Sequence, residues 1–221
     1  MTERLPLFPL SSVLFPGLML PLHIFEERYC RLVRDLLEQA EENQRFGVVM
    51  ITRGHEVGAE AAQETAGIGC VAEIRQIDSD DEGHYDIVAT GAGRFTIDAF
   101  DNSLPYLQAD VTPLDEEEGE QAGAYVTGVS TLFQRYCGLL RSLGASVEGP
   151  DELPDEPVQL SYLVAAAVIL DRHERQQLLE ANDGAGRLRQ ELGLLWREIS
   201  VLQSIPALPA SELLSTEFSV N

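Results

Sequence analysis

Apolar residues crowd the start of the chain, but they do not run unbroken. The segment LPLFPLSSVLFPGLMLPLHI (5–24) is interrupted by Pro6, Pro9, Pro16 and Pro21. Proline removes a backbone donor and clashes with the preceding helical turn. An export signal or a membrane span needs an uninterrupted apolar helix, about 20 residues for a span, so neither is expected here. The pattern predicts extended chain instead: a strand over LPLFPL (5–10), a turn around Ser11–Ser12 and a strand over GLMLPLHI (17–24). The prolines assign these strands to sheet edges or bulges. The period then changes. Phe25, Tyr29, Leu32, Val33, Leu36, Leu37 and Ala40 recur at gaps of three and four, which describes one face of a helix. Glu27, Arg31, Asp35 and Glu38 form its charged, solvated face.

Alternation of apolar and polar positions carries the prediction onward. FGVVMITRG (46–54) is expected as a strand, and IGCVAEIRQID (68–78) as a half-buried one. The acidic turn SDDEG and the strand HYDIVATG (84–91) complete a hairpin. RFTIDAF (94–100) and YLQADVTPL (106–114) are expected as two further strands. AEAAQETAG (59–67) has no period and is expected as a loop. Composition breaks at DEEEGEQAG (115–123), an acidic run suited to a solvated linker or a helix start. Helical spacing follows over 122–143; GASVEGPDELPDEP (144–157) is a second loop. VQLSYLVAAAVIL (158–170) is apolar nearly all round, the pattern of a central bundle helix. Asp171 and Glu174 have capping-box spacing for the next helix. A last helix carries Leu188, Leu192, Leu195, Trp196, Ile199 and Leu202 on one face, with Pro206 as its stop. The expected class is α+β: a β domain over 1–114, a helical domain over 115–205 and a tail over 206–221.

Charge narrows the partners. The chain carries 37 acidic residues against 15 basic ones, a net charge of −22. A field of that sign repels phosphates, so nucleic acid and anionic membrane surfaces are not expected partners. All the basic residues are Arg; there is no Lys. A Schiff-base lysine, a phosphate-loop lysine and a Ser–Lys dyad are therefore ruled out for this chain. Cys30, Cys70 and Cys137 are far apart and odd in number, which is neither a disulfide framework nor a zinc motif. They are expected as buried thiols of a cytoplasmic protein.

A set of short motifs then stands out in order: P-L-F-P-L, F-P-G and P-L-H-I-F-E-E-R-Y, followed by GHEVG (54–58), IGCVAEI (68–74), GAGRFTI (91–97) and ERQQLLEANDGAGRLRQELGLLWRE (174–198). Over residues 4–203 this order closely resembles the N-terminal substrate-binding domain of Lon-type ATP-dependent proteases, and the free-standing bacterial proteins made of that domain alone. The resemblance implies a twisted, barrel-like β domain with an inserted helix, of the type shared with PUA modules, joined to a helical bundle. It also implies that the family's ATPase and protease modules would begin where this chain ends.

No catalytic constellation emerges from the residues. His23, His55, His84 and His173 lack partners at ligand spacing, and no metal or cofactor is expected. GAGRF lacks the third glycine of a nucleotide loop, so its glycines are expected in a turn or bulge. IFEERY (24–29) admits two readings. In one, Glu26, Arg28 and Arg94 flank a peptide groove. In the other, the acids sit at the helix N-terminus and Arg28 bonds loop carbonyls. VLFPGL (13–18) is likewise open: Phe15 and Leu18 are either exposed for binding or plugged into the fold. The function expected from the resemblance is a non-enzymatic module that captures unfolded or extended polypeptide, or one specific protein, between the β and helical halves. Phe15, Leu18, Phe25, Tyr29 and Phe95 are its apolar contacts. A homodimer through exposed apolar surface is admitted but not fixed. The alternative is an RNA- or nucleotide-binding module, which would need Arg45, Arg53, Arg75 and Arg94 on one basic face.

Overall fold

The structure is a computed structural model that describes residues 2–56, 63–146 and 153–204. Residues 57–58 of the GHEVG motif, 59–62 of the first expected loop, 147–152 of the second, the expected stop at Pro206 and the tail lie outside those residues. Seven strands come first: β1 (Glu3–Leu10), β2 (Met19–Ile24), β3 (Arg45–Arg53), β4 (Glu64–Thr65), β5 (Ile68–Ser79), β6 (Tyr85–Asp101) and β7 (Gln108–Pro113). Helix α1 (Glu27–Leu37) lies between β2 and β3. Among the described residues four helices follow the strands: α2 (Ala122–Ser142), α3 (Pro157–Ala167), α4 (Arg172–Leu179) and α5 (Gly184–Ser204).

The strand order is β1–β7–β6–β5–β3–β4, with β2 added to β6 and a further pairing of β1 with β3. All pairings are antiparallel except β1 with β3. The proline-bearing β1 changes partner halfway: Glu3–Pro6 pair with β7 and Leu7–Leu10 with β3. Each half is thus paired on one side, which leaves room for residues that cannot donate. Helix α1 buries Tyr29, Cys30, Leu32, Val33 and Leu36 against one face of the sheet, together with Phe8, Phe46, Ile87 and Ala89. Leu5, Leu7, Val49, Phe95 and Val111 form a second cluster.

Four expectations change. The strands expected over 84–91 and 94–100 are one strand, β6. Its glycines make a bulge rather than a turn, because Cys70 pairs with Arg94 but Ala72 with Gly91. Gly91 also permits close approach: a Cβ there would lie 2.3 Å from the Phe15 carbonyl oxygen. The expected loop 59–67 contains β4, held against β3, and Ala66 N–H donates to the Met50 carbonyl. The helix expected over 158–170 stops at Ala167. Val168 is extended, and Ile169 N–H bonds the Tyr136 hydroxyl instead of continuing the helix. Finally, the acidic run after β7 is not a free linker. The Glu117 and Glu118 carbonyls accept the N–H groups of Gly184 and Ala185, satisfying donors that the first turn of α5 leaves open.

The Asp171–Glu174 capping box forms in both directions. Helices α2, α3 and α5 share a core of Val129, Phe133, Tyr136, Leu160, Leu188 and Leu195. Another cluster joins sheet to helices: Val13, Phe15, Met50 and Ala66 pack on Tyr162, Ala165, Leu178 and Leu179.

Candidate functional site

An apolar groove of about 910 Å³ opens along this junction. The turn Pro16–Met19 forms one wall. Helix α3 forms the other through Val158, Gln159, Tyr162, Leu163 and Ala166, with Phe133 of α2 and Glu116 completing the lining. Gly17 at φ 82° turns the chain sharply between Phe15 and Leu18. The two apolar residues therefore part company. Phe15 points inward and is fully buried, its ring 6.1 Å from that of Tyr162. Leu18 is half-buried on the groove wall, and Met19 beside it is 76% exposed.

Beneath the groove lies a buried polar network. Arg94 Nε donates to Glu116 Oε1 at 2.6 Å, and its Nη1 donates to the carbonyls of Leu179 and Ala181. The Tyr162 hydroxyl donates to the same Glu116 oxygen at 2.6 Å and accepts from Arg187 Nη2 at 2.9 Å. Arg187, with its Cζ 3.8 Å above the Tyr162 ring, also donates to Ser161 Oγ and the Leu178 carbonyl. Burial pushes the Tyr162 phenol up and the Arg187 guanidinium down. Every polar contact here is structural pairing.

The other expected site residues divide. Phe25 is exposed, and with Glu26 and Tyr29 it lines a smaller hollow of about 140 Å³ with Leu22, His23 and Ile24. Arg28 pairs with Glu26 at 3.0 Å and donates to the Glu56 carbonyl at 2.9 Å. Tyr29 is buried and stacks on Phe8 at 4.2 Å. Phe95 is fully buried and Arg94 nearly so. Phe15, Phe95 and Arg94 thus offer a ligand no surface, because each fills or ties the interior. Leu18 stands at the large groove; Phe25, Glu26 and Tyr29 stand at the small hollow. The groove residues Val158, Tyr162 and Leu163 of α3 had no sequence signal, since a helix apolar on every side does not mark its open face, and Met19 was one apolar residue among many in the opening stretch.

Arg45, Arg53, Arg75 and Arg94 do not form a basic face. Each pairs with a carboxylate: Glu3, Glu64, Glu73 and Glu116 respectively. Among the described residues, one group of metal-ligating side chains has its donors within 4.8 Å of one another: Asp80, Glu82 and His84. Asp80 accepts there from the N–H groups of Glu82 and His84 and pairs with His84 Nδ1, the bonding of a capped turn. No helix among the described residues is long and apolar enough to cross a membrane.

The comparisons with known proteins agree with one another. The chain is 30% identical over 205 residues to Lon protease 2 of Myxococcus xanthus, covering 91% of this chain and 24% of the relative. It is 29% identical over 203 residues to the Lon protease of Anaeromyxobacter dehalogenans, again covering 24% of it. The chain thus spans about a quarter of the length of these curated relatives. Among solved structures it is similar to the Lon N-terminal domain protein from Xanthomonas campestris, with a TM-score of 0.62 and 25% identity over 86% of this chain and 98% of that one. The N-terminal domain of Mycobacterium avium complex Lon protease shares the fold at a TM-score of 0.63 and 17% identity, over 90% of this chain and 98% of that one. Residues 4–197 match the family described as the ATP-dependent protease La (LON) substrate-binding domain, and the chain belongs to that family.

Proposed function

We propose that this chain is a polypeptide-recognition module without catalytic activity of its own, and that the groove between the Pro16–Met19 turn and α3 receives an extended apolar segment. The groove carries the reading: it is large, open and lined by Leu18, Met19, Phe133, Val158, Leu163 and Ala166. Pockets of several hundred cubic ångströms with apolar walls and few polar groups are where ligands bind. Family membership supports the same reading. The absence of Lys removes the phosphate-loop lysine and the Ser–Lys dyad as routes to catalysis.

In this reading the strands and α1 act as a PUA-like β domain over 1–114, and α2–α5 as a helical-bundle domain over 115–205. The groove is the cleft between them. Nucleic acid is not the ligand: the net charge of −22 opposes it, and the arginines that could have formed a basic face are each paired with acids. Three buried, unpaired thiols fit a reducing cytoplasm. Dimerisation through Met19 and its exposed neighbours would compete with the ligand.

The test is fluorescence anisotropy of a labelled, permanently unfolded polypeptide such as reduced, carboxymethylated lactalbumin. Saturable binding at micromolar protein, weakened at least tenfold by Met19→Asp, is the expected result. Met19 is largely exposed, so the variant keeps its fold. Absence of saturable binding overturns the proposal.

A further inference from the structure

Among the described residues, one side of strand β2 carries no paired strand. Among the described strands it pairs with β6 alone. Strand β6 turns alternate residues to its two neighbours. The His84 carbonyl, just ahead of the strand, accepts from Asp80 N–H in the hairpin with β5, and Gly91 N–H donates to the Leu18 carbonyl at the start of β2. The register runs from Met19 opposite Thr90 to Ile24 opposite Tyr85. Leu20, Leu22 and Ile24 therefore occupy the hydrogen-bonded pairs, and the backbone of Met19, Pro21 and His23 turns away from β6. That outer row presents three carbonyls and two N–H groups, because Pro21 has none.

The two hollows lie at the two ends of this row. The large groove meets it at Leu18 and Met19, and the small one at Leu22–Glu26. Charge fixes the sign of what would lie there. Asp86, on β6, sits 2.8 Å from His23, and Asp78, Asp80, Asp81 and Glu82 lie beyond it at the end of β5 and in the β5–β6 turn. Among the described residues no arginine pairs with any of these five acids; their ionisable partners are His23 and His84.

We infer that β2 accepts a basic, extended polypeptide segment as an added strand. The inference rests on the polypeptide-recognition reading and specifies its mode. The incoming main chain bonds the outward groups of Met19, Pro21 and His23. Its alternate side chains enter the groove and the hollow, and a Lys or Arg meets the hairpin carboxylates. Main-chain pairing supplies affinity in such additions, and the side-chain hollows supply selectivity. Pro21 interrupts the row, as edge prolines do where indiscriminate pairing must be limited.

The full chain is titrated with a fluorescein-labelled nine-residue peptide of alternating valine and lysine, and with its glutamate-for-lysine counterpart. Amide exchange is followed by NMR at saturation. The lysine peptide is expected to bind saturably and the glutamate peptide at least tenfold more weakly. The Met19 and His23 amides should slow on binding, while those of Leu20, Leu22 and Ile24, already bonded to β6, stay unchanged. Saturable binding with Met19 and His23 exchanging at their free rate overturns strand addition and leaves groove recognition standing. Equal binding of both peptides overturns the charge preference. If neither peptide binds while unfolded lactalbumin does, this docking mode alone fails; if none of the three binds, the underlying reading fails with it.

Discussion

Arg94 and Glu116 meet at 2.6 Å on the seam between sheet and helices, and the arginine side chain is 2% exposed. The same guanidinium holds the carbonyls of Leu179 and Ala181 at 2.7 and 2.6 Å. One side chain on β6 therefore serves three acceptors contributed from beyond the sheet.

Removing Arg94 leaves a part-buried carboxylate and two buried carbonyls short of donors. Arg94→Met is expected to cost about 3–5 kcal/mol, the range for breaking a buried pair from one side. Arg94→Lys recovers little of it, because one ammonium cannot span acceptors that a planar fork reaches separately. Urea unfolding midpoints measure both; a lysine variant as stable as the parent would contradict this account.

Gly91 and Gly93, two residues apart on β6, should respond differently to the same substitution. A Cβ at Gly91 would meet the Phe15 carbonyl at 2.3 Å, whereas at Gly93 nothing lies within 4 Å. Gly91→Ala is expected to cost about 1–3 kcal/mol by forcing β2 and its preceding turn off β6. Gly93→Ala stays within about 0.5 kcal/mol of the parent. Thermal unfolding of the pair decides it, and equal losses would mean that the close approach at Gly91 is not what fixes the turn.

These two residues also mark how far the sequence could be read. GAGRF signalled a break in strand geometry, yet a turn and a bulge use glycine alike, so one long strand was read as two. Arg94 was a lone cation in that motif. Nothing local announces a partner 85 residues away, because such contacts are set by register and packing. Tyr29, Leu32, Val33 and Leu36 of the α1 stripe and the Asp171–Glu174 box were legible because each rests on spacings of three or four residues, whereas Phe25 and Ala40 of that stripe fall outside the helix and Leu37 on its exposed side. Phe15 and Leu18 were equivalent in the sequence. The left-handed Gly17 between them sends one into the interior and leaves the other on the groove wall. A binding test using Phe15→Asp would therefore report unfolding; Met19→Asp reports binding.

The three thiols should be silent until the chain unfolds. Cys30, Cys70 and Cys137 are buried and unpaired. Burial raises all three above the ordinary thiol value, Cys70 to about 12. The thiolate is the reactive form, so native protein at pH 8 is expected to react negligibly with an aromatic disulfide reagent. The same sample in denaturant should release 3 equivalents. Rapid release of even one equivalent from the native protein would show that a thiol is open to solvent.

Glu191 makes stability depend on pH in a direction unusual for a carboxylate. It is 2% exposed on α5, and among the described residues neither carboxylate oxygen has a hydrogen-bond partner. Val164, Ala165, Val168, Leu170, Leu178, Leu194 and Leu195 surround it. Arg187, one turn earlier on α5, spends its donors on the Leu178 carbonyl, Ser161 and Tyr162. Burial therefore raises the Glu191 carboxyl well above its usual range, and the Arg187 charge offsets part of that rise. The folded chain keeps a proton that the unfolded chain releases near the ordinary glutamate value of about 4.3. The stabilisation from neutral Glu191 is complete below that value. It falls as pH rises through the window up to the raised folded value, by about 1.4 kcal/mol per pH unit, and is level beyond it. Glu191→Gln keeps the shape and removes the titration. Parent and variant should melt at similar temperatures near pH 4, and the variant should gain progressively toward neutral pH. Because the other carboxylates are common to both proteins, their titration cancels in the difference. Parallel melting profiles from pH 4 to 9 would mean that Glu191 is ionised in the folded chain and that an unseen rearrangement supplies its partner.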